Sequence, residues 1–407
     1  MSQKIIGLIG LTVFLLISYL FSSNKKAVNI KTVIVALIFE FLIGSLIFLC
    51  PQSRDVLLAF SNFFTKILEA AREGIVFVFG ALGSANSDWG FILFFQSLTY
   101  IIIFASLCSL LYYLRVLPFI IVSIAKFVKK FFGISAVEAI CSASNMFVGI
   151  ESFASIRPYF PSLTRSQIFL IFTVFMSTIA SSVMALYISF LSDKIPTIAG
   201  HLVSATVLSI PAAIMVAKIM EPETETPEAS EMKIEIPESA KTFTGSIVNG
   251  AMDGGKMVFG IAVLLVAVIG ILGIINLCLS YFTDVTISGI LGHIFEPVAL
   301  LMGIEPHDAE LVGELLGTRL IMTEVPSYIG LSEAMNAGTI SPHTAIATSY
   351  ALCGFTSIES LSIAIGASIA LVPEKTELIT SVCYKSLLAA TIATVITGTV
   401  AGLFYLG

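Results

Sequence analysis

The sequence has 407 residues, of which 57% are hydrophobic and only 12% are charged, and its mean hydropathy is +1.00. Soluble domains carry about 25% charged residues, so this composition excludes a soluble protein and indicates a polytopic membrane protein. The six cysteines are scattered through apolar runs, which excludes a disulfide framework. The net charge of −6 comes mostly from one short acidic segment, and no basic patch predicts a nucleic-acid partner.

Apolar runs predict eight membrane-spanning helices. They cover residues 5–21, 33–50, 91–114, 167–191, 198–217, 257–282, 341–372 and 384–405. The first run could also be a signal peptide, but no small-residue cleavage site follows it. Lys25, Lys26 and Lys31 follow that run and predict a cytoplasmic loop, which places the N-terminus outside.

Two further helices are predicted outside these spans. Residues 52–73 interleave charged and apolar side chains in a pattern typical of a helix at the membrane interface. Residues 287–302 are apolar but contain Pro297, which predicts a bent external helix. The Glu- and Pro-rich residues 220–245 predict a mobile cytoplasmic linker. This linker separates peripheral spans at 1–50 and a first half at 51–219 from a second half at 246–407.

Two segments predict re-entrant helical hairpins, at about 133–163 and about 308–338. The arms of each are too short to cross about 30 Å of hydrocarbon, and each carries a Glu at its predicted tip, Glu151 and Glu324. In both halves the hairpin is followed by a span with a polar centre. The first hairpin is predicted to enter from the inside and the second from the outside. Interrupted segments at corresponding places in two inverted halves are typical of a transporter site near the midplane.

Polar residues at membrane depth are the candidates for that site. Carboxylates there are functional by default, which favours Glu151 and Glu324. Glu359 could face the site or pair with a basic residue such as Arg319. Asn145 could cap a helix or supply an oxygen to a hard cation. Serines and threonines inside spans more often bond a carbonyl one turn back than a ligand.

Several blocks resemble the concentrative nucleoside transporter family, the bacterial nucleoside permeases, in that family's order. They are Gly149-x-Glu151 with Arg157-Pro158, 163–166, 177–180, 297–303, 313–317 and Ala351-Leu352-Cys353-Gly354-Phe355. The resemblance implies an all-α membrane fold of eight spans with two opposed hairpins, interfacial and external helices and an inverted repeat. It also implies a homotrimer in the cell inner membrane that imports nucleosides with sodium or protons.

The resemblance carries over residue by residue. In the substrate site, Glu151, Glu324, Phe355 and Ser360 are retained, whereas Ile150, Thr323 and Ser357 replace a Gln and two Asn residues, and Glu359 is added. The family's sodium site corresponds to Asn145, Val148, Thr178 and Ile179. The altered polar groups imply a changed nucleoside preference or a related polar solute.

The leading hypothesis is a sodium-coupled nucleoside symporter that works by movement of its hairpin region against a fixed trimer scaffold. It needs a nucleoside substrate, a lipid bilayer and a coupling cation, and no organic cofactor. Proton coupling through Glu151 or Glu359 is the first alternative. An intramembrane enzyme using its three Glu residues, and a non-transporting sensor or pore, are the others.

Overall fold

The computed structural model describes residues 3–84, 90–149, 152–225, 242–282 and 286–405. Numbered in chain order, its α-helices are α1 (Gln3–Leu20), α2 (Ile30–Leu49), α3 (Pro51–Phe79), α4 (Tyr100–Tyr113), α5 (Val116–Phe132), α6 (Ala136–Ser144), α7 (Ser152–Ile156), α8 (Arg165–Ser177), α9 (Ser181–Leu191), α10 (Ile198–Met220), α11 (Phe243–Ser280), α12 (Ile287–Leu301), α13 (Pro306–Ile321), α14 (Glu324–Ala337), α15 (Pro342–Ala351), α16 (Ile358–Leu371) and α17 (Thr376–Phe404). Most of the predicted linker, residues 226–241, lies outside the described residues.

Seven helical segments among the described residues are long and apolar enough to cross a membrane. They are Gln3–Leu20, Ile30–Leu49, Phe94–Tyr113, Arg165–Leu191, Ile198–Met220, Phe243–Ser280 and Pro373–Phe404. Each corresponds to one predicted span. The remaining predicted span, 341–372, consists of the shorter helices α15 and α16 with residues 352–357 between them. Its polar centre is therefore a break in the helix and not a polar stripe along it.

Two pairs of short helices lie where the hairpins were predicted. Hairpin 1 consists of α6 and α7 with the 3-10 turn Arg157–Ser162, and hairpin 2 consists of α13 and α14. In hairpin 1 the Ser152 hydroxyl donates to the Asn145 side-chain oxygen at 2.9 Å. In hairpin 2 the Ser327 hydroxyl donates to the Leu315 carbonyl at 2.8 Å. These bonds hold the arms of each hairpin together.

Each hairpin is followed by a helix that is interrupted near its middle. Residues 178–180 separate α8 from α9, and residues 352–357 separate α15 from α16. We call these two stretches the first break and the second break. The same order of hairpin and broken helix in both halves is compatible with the predicted repeat.

The centre of the molecule is built from α8, α10 and α17, which are buried along most of their length. Their hydroxyl side chains bond carbonyls one turn back: Thr173 donates to Phe169 at 2.8 Å and Thr397 to Ala393 at 3.0 Å. These bonds satisfy the hydroxyls without a ligand, as the sequence pattern predicted for most of them. This rigid centre supports both hairpins.

The long helix α11 packs closely along α4 through a pair of glycines. A Cβ at Gly250 would lie 2.7 Å from the Ala105 carbonyl oxygen, and one at Gly254 would lie 2.7 Å from the Ile102 Cα. Small residues four apart allow helix backbones to approach in this way. The opposite side of α11 is exposed, with Val266 at 78%, as expected for a face that contacts lipid.

The helix α5 was not predicted from the sequence. It buries Leu117, Ile121, Ala125 and Val128 and exposes Phe119. The sequence reading used its basic residues only as a sign of a cytoplasmic loop. The regular spacing of its apolar residues was the signal that could have revealed an amphipathic helix.

Charged residues join the base of hairpin 1 to the ends of α8, α10 and α17. Lys218 contacts Glu138 at 2.6 Å, and Glu221 contacts Arg165 and Lys385, both at 3.0 Å. Glu138 also completes a capping box with Ser135 at the start of α6. The base of hairpin 1 is therefore fixed by ion pairs and by a helix cap.

Candidate functional site

The two breaks contact each other at the centre of the protein. The backbone N–H of Phe355 donates to the Thr178 carbonyl at 3.3 Å. The approach requires a glycine, because a Cβ at Gly354 would lie 2.9 Å from the Met176 carbonyl oxygen and 2.8 Å from a methyl carbon of Thr394. The unwound segments of the two halves are thus joined backbone to backbone.

Hairpin 1 lies against the first break. The Ser181 N–H donates to the Phe147 carbonyl at 3.2 Å, and its hydroxyl donates to the Met146 carbonyl at 3.4 Å. The structure therefore brings residues 145–148 next to residues 178–181. These two stretches contain the four predicted sodium ligands.

The side chains among those four residues already have protein partners. Asn145 accepts from Ser152 through its oxygen and donates to the Cys141 carbonyl at 3.1 Å through its nitrogen. The Thr178 hydroxyl donates to the Val174 carbonyl at 2.9 Å, which leaves its oxygen lone pairs free. The other two, Val148 and Ile179, offer only backbone carbonyls. Oxygen atoms of these kinds suit a hard cation.

A cavity of about 400 Å³ lies between the hairpins, the breaks and α11. This volume is within the range of about 300 to 1,000 Å³ usual for small-molecule sites. Its polar lining comes from hairpin 2 and α16, and α11 supplies an apolar wall. The lining residues are Gly149, Phe175, Ala180, Val183, Met257, Gly260, Ile261, Leu264, Leu265, Thr323, Glu324, Val325, Phe355, Glu359, Ser360 and Ile363.

Glu324 is the buried carboxylate of this cavity and is the first residue of α14. Its Oε1 accepts from the Tyr187 hydroxyl at 2.5 Å, whereas its Oε2 has no hydrogen-bond partner among the described residues. The Tyr187 ring is stacked on Tyr328, with ring centroids 4.3 Å apart. Tyr187 therefore holds one carboxylate oxygen and leaves the other available to a ligand.

Glu359 is a second carboxylate on the cavity wall, in the first turn of α16. Its Oε2 is buried and has no hydrogen-bond partner in the described part of the chain. The pairing with Arg319 that the sequence left open is not formed. Arg319 instead donates to the Ala351 carbonyl and to the Thr394 hydroxyl. Glu359 is thus the member of this pair that faces the cavity.

Three helices begin at the cavity, and they are α9, α14 and α16. Thr323 caps α14 by accepting from the Val325 N–H at 3.3 Å, and Ser357 caps α16 by accepting from the Ser360 N–H at 3.1 Å. Helix N-termini carry partial positive charge. That charge favours the ionised form of carboxylates in the first turn, such as Glu324 and Glu359.

The predicted substrate residues fall into three groups. Those that line the cavity together are Thr323, Glu324, Phe355, Glu359 and Ser360. Ser357 is fully buried and caps α16 behind the cavity wall. Ile150 and Glu151 lie outside the described residues.

Other residues near the site or at membrane depth escaped sequence reasoning. The apolar wall of α11 and the hydroxyl of Tyr187 were missed because they sit in ordinary-looking spans. Glu40 was also missed. It is fully buried in α2, and neither carboxylate oxygen has a hydrogen-bond partner among the described residues. The rule that singled out the other intramembrane carboxylates applies equally to it.

Protein-family models match consecutive parts of the chain. Models for the N-terminus and the C-terminus of a Na⁺-dependent nucleoside transporter match residues 9–82 and 201–402. A model named Gate and described as nucleoside recognition matches residues 94–194. The last of these includes hairpin 1 and the first break, and the C-terminal model includes hairpin 2 and the second break.

Individual proteins resemble the chain over its whole length. It is 31% identical to the nucleoside permease NupC of Helicobacter pylori, over 99% of this chain and 98% of that protein. It is also 31% identical to solute carrier family 28 member 3 of Homo sapiens, over 98% of this chain and 60% of that protein.

Solved structures of one transporter share the fold. CNTnw in an inward-facing substrate-bound state matches with a TM-score of 0.93 at 27% identity, over 99% of this chain and 100% of that chain. A variant of CNTnw in an outward-facing state matches with a TM-score of 0.92 at 27% identity, over 99% and 98% of the two chains. The likeness therefore concerns the fold and assigns no transport state.

Proposed function

Because the chain belongs to the concentrative, Na⁺-dependent nucleoside transporter family, we propose that it imports nucleosides across the cell inner membrane by symport with a cation, sodium in the first place. The family consists of transporters, so the intramembrane-enzyme alternative is set aside. The cavity between both hairpins and both breaks supports the proposal most directly, because it holds a buried carboxylate with a free oxygen.

In this proposal the nucleoside lies between the tip of hairpin 2 and the apolar wall of α11. The free oxygen of Glu324 accepts from the ribose hydroxyls, as the family resemblance implies. The base packs against Phe355, Phe175 and Ile261, which supply aromatic and aliphatic surface. Ser360 contributes its hydroxyl. A carboxylate fixed by Tyr187 is already oriented for the ribose, so little ordering is needed on binding.

The proposed sodium site lies where hairpin 1 meets the first break. It uses the side-chain oxygens of Asn145 and Thr178 and the backbone carbonyls of Val148 and Ile179. A cation held there would draw these two stretches together and order the end of α6. Gly149 follows directly and lines the cavity. Cation and nucleoside would thereby favour each other's binding.

We further propose a homotrimer in which the hairpins and the broken helices move against a fixed scaffold. The close α4–α11 pair is the element best suited to that scaffold, because it forms the apolar wall beside the hairpins and is rigidly packed.

The test is uptake by proteoliposomes that contain the purified full-length protein. An inward sodium gradient should drive accumulation of a labelled nucleoside, and replacing sodium by choline should abolish it. Accumulation that follows only an imposed pH gradient would instead establish the proton-coupled alternative. If no nucleoside accumulates under either gradient, the proposed function fails.

A further inference from the structure

The geometry points to Glu359 as the residue that selects the base, with preference for a nucleoside whose base presents two adjacent N–H donors, the guanosine class. This inference rests on the proposed function, because it concerns the cargo of the same cavity. It starts from the one polar group that this chain adds where the family has a different residue.

Glu359 is placed to touch the cargo. It lies four residues after Phe355, and both side chains line the cavity with Ser360. Its Oε2 is shielded from solvent and has no hydrogen-bond partner among the described residues. A buried acceptor of this kind is costly unless a ligand supplies the missing donor.

The surrounding charges favour an ionised Glu359. It is the second residue of α16, whose N-terminus attracts negative charge. The nearest competing acid, Glu324, has its own donor in Tyr187 and is attracted by the Arg319 guanidinium. An ionised carboxylate only accepts hydrogen bonds. The cargo therefore has to donate at this position.

The rest of the lining offers nothing that could donate to a base carbonyl beside Glu359 except hydroxyls. The described lining residues include no lysine, arginine or histidine. In sequence, Ile150 takes the place of the family's base-reading Gln, so a side chain that can both donate and accept is lost. Base recognition is thereby shifted toward acceptance by the carboxylate.

The common bases differ in how they meet a carboxylate. Guanine presents N1–H and the N2 amino group side by side, so one carboxylate can accept from both. Cytosine and adenine present one amino group beside an acceptor nitrogen. Uracil presents one N–H between two carbonyl oxygens, which a carboxylate repels. A site built for donors rejects analogues that leave its groups unpaired, so guanosine should bind best and uridine worst.

The experiment measures binding and competition with the full-length protein in proteoliposomes. Guanosine, cytidine, adenosine, inosine and uridine compete against a labelled nucleoside that the protein transports. We expect guanosine to compete at a concentration about tenfold lower, or more, than uridine or inosine. Inosine is the sharpest comparison, since it differs from guanosine only in lacking the N2 amino group.

The matched variants are Glu359→Gln and Glu374→Gln. The amide of the first has one donor and one acceptor, so the guanosine preference should fall about tenfold, with uridine gaining relative to guanosine. Glu374 is exposed on the turn after α16, and its variant should keep the wild-type ranking. If the Gln variant does not fold, Glu359→Asp keeps the charge and should keep the ranking, and the guanosine–inosine comparison in the wild type stands alone.

Two results would overturn the inference while leaving the proposed function intact. One is a wild type that binds uridine or inosine as well as guanosine. The other is a Glu359→Gln variant with the wild-type ranking, which would mean that the carboxyl is neutral or does not touch the base. A wild type that takes up no nucleoside at all would instead refute the proposed function itself.

Discussion

The two halves of the protein repeat the same elements but leave their polar groups in different conditions. Around hairpin 1, Asn145, Ser152 and Thr178 are hydrogen-bonded to neighbouring protein atoms. Around hairpin 2, the carboxylates of Glu324 and Glu359 each keep one oxygen without a partner among the described residues.

This difference separates two kinds of site. A small cation can be held by oxygens that are already fixed and retain free lone pairs, so the first region can be preorganised without a buried charge. A nucleoside has to bring donors, so the second region keeps buried acceptors open for it. We therefore expect the first region to control ion dependence and the second to control cargo.

The largest effect is expected at the cargo side. Glu324→Gln removes the charge that accepts from the ribose, and nucleoside uptake in proteoliposomes should fall about hundredfold or more. The amide still accepts from Tyr187, so the thermal unfolding midpoint should change little. Glu333→Gln, an exposed acid on the same helix, is the control. Normal uptake by the Glu324 variant would refute its place in the site.

The joint between the halves should respond next. Gly354→Ala adds a Cβ that meets the Met176 carbonyl and Thr394. We expect it to cost about 1 to 3 kcal/mol of stability and to reduce uptake, measured by thermal unfolding and transport. Gly366→Ala is the matched control, since a Cβ there meets nothing within 4 Å. Equal behaviour of the two variants would show that the contact between the breaks is not required.

A smaller and more selective effect is expected at the cation side. Asn145→Ala and Thr178→Val each remove one proposed ligand, so the sodium concentration for half-maximal uptake should rise about tenfold, equivalent to about 1.4 kcal/mol. Thr178→Ser keeps the hydroxyl and should keep the sodium dependence. Asn336→Ala, at an exposed position of α14, is the second control. Unchanged sodium dependence in Asn145→Ala and Thr178→Val would move the cation site elsewhere.

The smallest effect concerns stability alone. Burial by itself raises the pKa of the Glu221 carboxyl, but hydrogen bonds from Lys385 and Ser23, together with the charge of Arg165, hold that pKa below its ordinary value of 4.5. A lowered pKa stabilises the fold above the ordinary value and ceases to do so as pH falls through the folded-state value.

Glu221→Gln should therefore reduce the free energy of unfolding at pH 7 by about 1 to 3 kcal/mol. The difference from wild type should persist down to about pH 5 and shrink at lower pH, as measured by thermal unfolding in detergent. Glu377→Gln, at an exposed position of α17, should show no such dependence. A difference that stayed constant at pH 4 or below would contradict the ion-pair account.

The sequence by itself determined the membrane class, the number and order of the apolar segments, the two hairpins and the family. These features depend on hydropathy, on helix length against bilayer thickness and on local motifs, all of which are written along the chain. The family comparisons confirm the all-helical transporter fold. The spacing of polar residues also indicated both broken helices, although 341–372 was taken as one continuous span.

Only the tertiary structure decided which polar groups face one another. It placed Glu359 on the cavity wall and Arg319 away from it, and it put Ser357 behind the wall as a helix cap. It also showed that Tyr187 leaves one oxygen of Glu324 open. These outcomes depend on how helices distant in sequence pack together, and helical periodicity fixes the face of one helix without fixing its neighbour.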